Sequence, residues 1–156
     1  MKEFSFVHAG DLHLDSPFRG ITAKSPSVAA ALRSATFAAF ESLVRLCLDE
    51  DALFLVIAGD VYDSADRSVR AQLAFRDGLK VLAERGVRTF LVHGNHDPLD
   101  GWASSVDRPE GVTVFGGGNV STSIVAAGGA PRAARPAPPH PPAPPAPHPP
   151  PPPPPP

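Results

Sequence analysis

Three short stretches of this 156-residue chain carry side chains suited to chemistry. They are Asp11-x-His13, Gly59-Asp60-x-x-Asp63 and Gly94-Asn95-His96-Asp97. Each alone is ordinary, since Gly-Asp after a strand is common turn chemistry and an Asp-x-His pair suits a capped loop. Together they offer carboxylates, an amide oxygen and imidazoles, a donor set that suits Mn²⁺, Fe²⁺ or Zn²⁺. Two such ions about 3.5–4 Å apart clamp a phosphate and supply hydroxide between them. Asp60, central in the row, is the natural bridge. Other phosphate chemistries fit poorly: the chain has no Gly-x-x-x-x-Gly-Lys-Ser/Thr loop and no Gly-x-Gly-x-x-Gly.

The elements around these stretches explain how they come together. Phe4, Phe6 and Val7 open an apolar run that reads as a buried strand and stops at Gly10-Asp11. Residues 12–26 contain Pro17, Gly20 and Pro26 and read as loop. Phe37, Phe40, Val44, Cys47 and Leu48 recur at helical spacing across 27–50, with Ser27 as the expected cap. Residues 53–58 are apolar on both faces, as in a central parallel strand, and end at Gly59-Asp60. A second helix is expected over 66–85, with Phe75, Leu79 and Leu82 on one face and Gly86 as its stop. Residues 89–92 form a third strand that ends at Gly94; 112–115 and 122–127 are candidates for a fourth and a fifth. The order β-α-β-α-β predicts an α/β fold with right-handed crossovers and a parallel sheet. Its strands then deliver all three stretches to one sheet edge, where open α/β sheets bind ligands.

Composition narrows the possible partners. Of 21 prolines, 17 fall in residues 131–156, a tail of Pro, Ala, Arg and His alone. That tail is expected to be polyproline II or disordered, and the foldable domain is placed at 1–130. The domain holds 12 basic and 16 acidic residues, because the tail carries only Arg132 and Arg135. It is therefore no basic nucleic-acid coat and no polybasic membrane anchor. The lone Cys47 excludes an internal disulfide and fits a reducing compartment. The N-terminus turns polar too soon for a signal peptide, and the apolar run 52–58 is too short to span a bilayer. A cytoplasmic location without membrane contact is expected.

With its flanks, the pattern resembles the calcineurin-like metallophosphoesterases, whose signature is Asp-x-His, Gly-Asp-x-x-Asp, Gly-Asn-His-Asp/Glu, a lone His and Gly-His-x-His. The segments FVHAGDLHLDSPFRG, LVIAGDVYD and LVHGNHDPLDGW are similar to the bacterial DNA repair exonuclease branch, the SbcD-type and YhaO-like nucleases. The resemblance covers roughly residues 4–120. It implies that Asp11 and His13 bind a first metal, that Asp60 bridges two, and that Asn95 binds the second, with two Mn²⁺ as the leading assignment. It implies that His96 stands at the scissile phosphate and that Asp97 sets the tautomer of His96. Asp63 is expected to support its loop. The implied reaction is phosphodiester hydrolysis, on DNA or another phosphodiester, with an ATPase subunit as a partner by family resemblance.

The departure from that pattern is large. No histidine lies between His96 and the tail, and His140 and His148 sit in proline runs. The lone His and Gly-His-x-His are therefore absent, and with them three imidazole ligands. The second sheet of the family's αββα sandwich is expected to be largely missing. The chain is accordingly expected to be the N-terminal half of such an enzyme, cut short or shifted out of frame after about 118–129, and impaired in catalysis. Two alternatives stay open: a non-catalytic fragment that holds at most one metal, and a phosphatase or cyclic-nucleotide phosphodiesterase of the same superfamily.

The remaining candidates read as structural. His8 and His93, at strand ends, are expected to be satisfied histidines or supports for a ligand. Asp15 and Arg19 are expected at the surface, Cys47 in the core, and Trp102 packed against the domain. Gly116-Gly117-Gly118 has no helix after it and is not read as a phosphate cradle.

Overall fold

The computed structural model describes residues 3–63, 68–94, 109–116 and 120–126. Four parallel strands form one sheet in the order β1-β2-β3-β4: β1 (Phe6–Ala9), β2 (Phe54–Ala58), β3 (Arg88–Val92) and β4 (Val112–Phe115). This is the expected parallel α/β sheet, its candidate fourth strand formed at Val112–Phe115, and it fits part of a metallophosphoesterase fold. Helix α2 (Pro26–Asp49) carries the chain from β1 to β2, and α3 (Val69–Glu84) carries it from β2 to β3. The two helices pack on each other. The loop expected at 12–26 contains a single helical turn, α1 (Arg19–Thr22).

Helix starts and stops follow local chemistry. Proline occupies the first position of α2 with Ser25 as the N-cap, so Ser27 does not cap it. A proline there costs nothing, because that N–H has no helical partner anyway. Ser68 caps α3, its Oγ accepting from the Ala71 N–H at 3.0 Å. Gly86 ends α3 with φ +69. Its N–H donates to the Ala83 carbonyl at 2.8 Å, and that of Val87 donates to Leu82 at 2.9 Å. These two bonds satisfy carbonyls that the helix end leaves open, and buried Val87 packs against that end.

The core lies on one face of the sheet. Leu55, Ile57 and Leu91 meet Phe40, Val44 and Cys47 of α2 and Phe75, Leu79 and Leu82 of α3. Gly78 lets the helices approach: a Cβ there would lie 2.5 Å from Phe40 Cε1. The opposite face holds an aromatic row across all four strands. Phe6 stacks on Phe54 at 5.0 Å, Phe54 meets Phe90 edge-on at 5.7 Å, and Phe90 stacks on Phe115 at 6.1 Å. No helix among the described elements covers this face. As a result β1 is not the buried strand expected; Phe6 and His8 are exposed. The expected fifth strand is also not formed over the described residues 120–126. Val120 and Ile124 are exposed there, and the Ile124 carbonyl accepts from the Arg88 guanidinium. The tail lies outside the described residues. No described helix is long and apolar enough to cross a membrane.

Candidate metal centre

The loops after β1 and β2 leave the same sheet edge and are joined by backbone hydrogen bonds. Asp11 N donates to Gly59 O at 3.3 Å, His13 N to Asp60 O at 3.1 Å, and Leu14 N to Val61 O at 2.9 Å. Leu14, Val61 and Tyr62 are buried and fasten both loops to the core. The strand ends thus impose a register on the two loops, and that register sets Asp11 and His13 against Asp60.

The backbone at these positions is unusual. Asp11, His13 and Asp60 have φ of +54, +43 and +50, in the left-handed region. Side-chain-bearing residues pay about 1–2 kcal/mol each to sit there. Strain of this kind persists where surrounding contacts enforce it, and it clusters at ligand sites.

Two glycines make room for the arrangement. Gly59 has φ +81, and a Cβ on it would lie 2.7 Å from Gly94 Cα. A Cβ on Gly94 would collide with the Asp60 carboxylate. The ends of β2 and β3 therefore meet backbone to backbone, which holds Asp60 beside the start of the third stretch.

A ligand atom from each of Asp11, His13 and Asp60 lies within 4.8 Å of the other two. His13 Nε2 is 3.8 Å from Asp11 Oδ1. On the other side of the ring, Nδ1 is 3.0 Å from Asp63 Oδ1. Ser16, buried, donates from Oγ to Asp63 Oδ2 at 2.7 Å. Two carboxylates and an imidazole at this spacing fit a divalent cation of the Mn²⁺, Fe²⁺ or Zn²⁺ type. Exposed Asp11 and half-buried His13 and Asp60 leave the cluster open to solvent.

Among the described residues the structure brings together three of the four expected metal ligands. Asn95, the fourth, lies outside the described residues, as do His96, Asp97 and Trp102. Asp63, expected to support its own loop, pairs with His13 and Ser16 of the loop after β1. Asp15 is not a plain surface residue: its N–H donates to Thr36 Oγ1 at 3.1 Å, and its carboxylate accepts from Ser68 Oγ, tying the first loop to both long helices. Arg19 is exposed on α1. His93 is half-buried, and its Nδ1 is buried without a hydrogen-bond partner among the described residues. Cys47 is in the core, where burial pushes its thiol up to about 11. Sequence reading missed Ser16 and Ser68. A serine in a loop carries no mark of its partner, and only the fold brings residues 16 and 63 together.

Comparison with known proteins agrees with this geometry. The chain is 36% identical over 115 residues to a protein of Bacillus subtilis (strain 168) described as "Uncharacterized metallophosphoesterase YhaO". The alignment covers 74% of this chain and 28% of that relative, so the chain spans less than a third of its length. The family described as calcineurin-like phosphoesterase matches residues 4–132, a stretch that takes in every candidate ligand. On that match the chain belongs to the calcineurin-like phosphoesterase family.

Proposed function

We propose that this chain is the N-terminal part of a metal-dependent phosphodiester hydrolase of the DNA repair exonuclease type. The observation that carries the reading is the convergence of Asp11, His13 and Asp60 within 4.8 Å at the carboxyl edge of the sheet. In this reading Asp11 and His13 would hold one cation, Asn95 would hold a second, and Asp60 would serve both. Mn²⁺ suits such oxygen-rich ligands. Bound there, divalent cations supply a hydroxide nucleophile at neutral pH and neutralise charge on the phosphoryl oxygens.

The chain's own residues do the rest. The zipped loops keep the donors in place before any cation arrives, so little reorganisation remains on binding. Asp60 sits against Gly94, in the space that a side chain there would fill. His96 donates a hydrogen bond to the phosphate or a proton to the leaving oxygen, and Asp97 orients its ring. DNA is the proposed substrate. The acidic balance of the domain leaves the grip on DNA to a partner, for which an ATPase subunit is proposed.

A second reading is favoured by one observation. The described donors form a single cluster, and no histidine lies between His96 and the tail. A segment that binds one cation without turnover fits this. The test is Mn²⁺-dependent hydrolysis of single-stranded DNA and of a generic phosphodiester by the purified chain, with Asp60→Ala as control. Turnover that disappears in the variant supports the hydrolase. Metal binding without turnover supports the second reading, and absence of both removes each.

A further inference from the structure

We propose that Ser16 and Asp63 form a two-link brace that holds the His13 imidazole with its proton on Nδ1. The inference rests on the metal-centre reading above and adds two positioning residues to it. His13 Nδ1 lies 3.0 Å from Asp63 Oδ1. An ionised carboxylate only accepts, so the ring nitrogen facing it is the donor. In the neutral ring Nε2 then carries the lone pair, and Nε2 is the nitrogen on the Asp11 side, 3.8 Å from Oδ1. The tautomer that the brace selects is therefore the one that offers its lone pair to a cation beside Asp11.

Ser16 sets the second link. Its Oγ donates to Asp63 Oδ2 at 2.7 Å, so the carboxylate is gripped at both oxygens. Ser16 is only 7% exposed, which shields this bond from competing water. The brace also spans the two loops, since Ser16 and His13 follow β1 whereas Asp63 follows β2. The His13 backbone shares the crossing through its N–H to the Asp60 carbonyl at 3.1 Å. Ring and backbone are thus fixed by the same neighbouring loop.

The test is nitrogen NMR of the metal-free full-length chain, labelled on histidine, at a pH where His13 is neutral, together with Mn²⁺ calorimetry. Neutral histidine in water favours the proton on Nε2, so a His13 with its proton on Nδ1 is a distinctive signature. The wild-type chain is expected to show it. Asp63→Ala is expected to return His13 to the Nε2–H form and to weaken Mn²⁺ binding about 10–100-fold, the usual loss when a ligand's orienting partner is removed. Asp63→Asn keeps an acceptor and is expected to retain much of the Nδ1–H form. Ser16→Ala is expected to give a mixture of tautomers, and Ser16→Thr to restore the wild-type spectrum. Thermal melts of all four variants identify any that fail to fold; Ser16→Ala, the mildest change, then carries the decision. An Nε2–H tautomer in the wild-type chain, or an Nδ1–H form that survives both Asp63→Ala and Ser16→Ala, would overturn the brace. A tautomer switch in a chain that binds no Mn²⁺ keeps the brace and removes the metal reading.

Discussion

Replacing Gly94 by alanine tests how the second and third motifs are joined. A methyl group at residue 94 falls 2.6 Å from Asp60 Cγ and 2.5 Å from its backbone nitrogen, and also collides with Oδ1. Ordinary contact begins at 3.4 Å, so Cγ and the backbone nitrogen fall short by 0.8 to 0.9 Å and Oδ1 by more. Asp60 resists, because its carbonyl accepts from His13 N at 3.1 Å and its own φ is already +50. Residue 94 resists as well, because Gly59 lies directly against it. Overpacking of this size costs about 1–3 kcal/mol of stability. The displaced carboxylate matters more for function: a shift near 1 Å in a group that positions reactants costs about 100-fold. We expect Gly94→Ala to bind Mn²⁺ about 10–100-fold more weakly by calorimetry, in the range seen when support for a ligand is lost. A urea melt on the same sample reports the stability cost. A variant that matches wild type in both affinity and midpoint would refute the close approach of β2 and β3 at this edge.

Other substitutions probe the scaffold and the thiol. Gly78→Ala gains about 1 kcal/mol of helix propensity but loses about 1–3 kcal/mol to overpacking, since Phe40 is buried against Phe75 at 5.2 Å. A net fall in urea midpoint is expected, and a rise would show that the ring swings aside. Thr89 is buried on β3 with its hydroxyl unpaired among the described residues. Thr89→Val keeps the branched shape and is expected to stabilise the fold by about 1 kcal/mol; a loss would reveal a hidden partner for the hydroxyl. Burial raises the Cys47 thiol from 9.0 to about 11, opposed in part by a backbone hydrogen bond. The folded chain then keeps this proton where the unfolded chain loses it. Its contribution is complete below pH 9.0 and is lost as pH rises toward about 11. Chemical denaturation across that window is expected to show the decline in wild type and a weaker one in Cys47→Ala. Equal slopes would contradict it.

Much of the fold can be read from the sequence because it depends on period and punctuation. The apolar run 53–58 reads as a central strand, and it is flanked by β1 and β3. Gly86 ends α3 because only a residue at ease with φ +69 permits the two closing hydrogen bonds. Other features depend on neighbours that a pattern does not name. Phe6 reads as core, yet no helix among the described elements lies over its face of the sheet. Residues 122–127 read as a candidate strand, yet no ladder partner is present over the described part of it. For the site, residue type and strand order suffice to gather Asp11, His13 and Asp60. The contact of Gly59 with Gly94, the left-handed ligands and the Ser16–Asp63 link arise from the register between loops, which spacing along the chain does not encode.

The central claim is that His13 and its two neighbouring carboxylates take up a cation together. Pulsed electron paramagnetic resonance of Mn²⁺ added to the full chain measures this directly. The account predicts a modulation from a directly bound imidazole nitrogen, present in wild type and lost in His13→Gln. A spectrum of fully hydrated Mn²⁺, or a nitrogen signal that persists without His13, would contradict it.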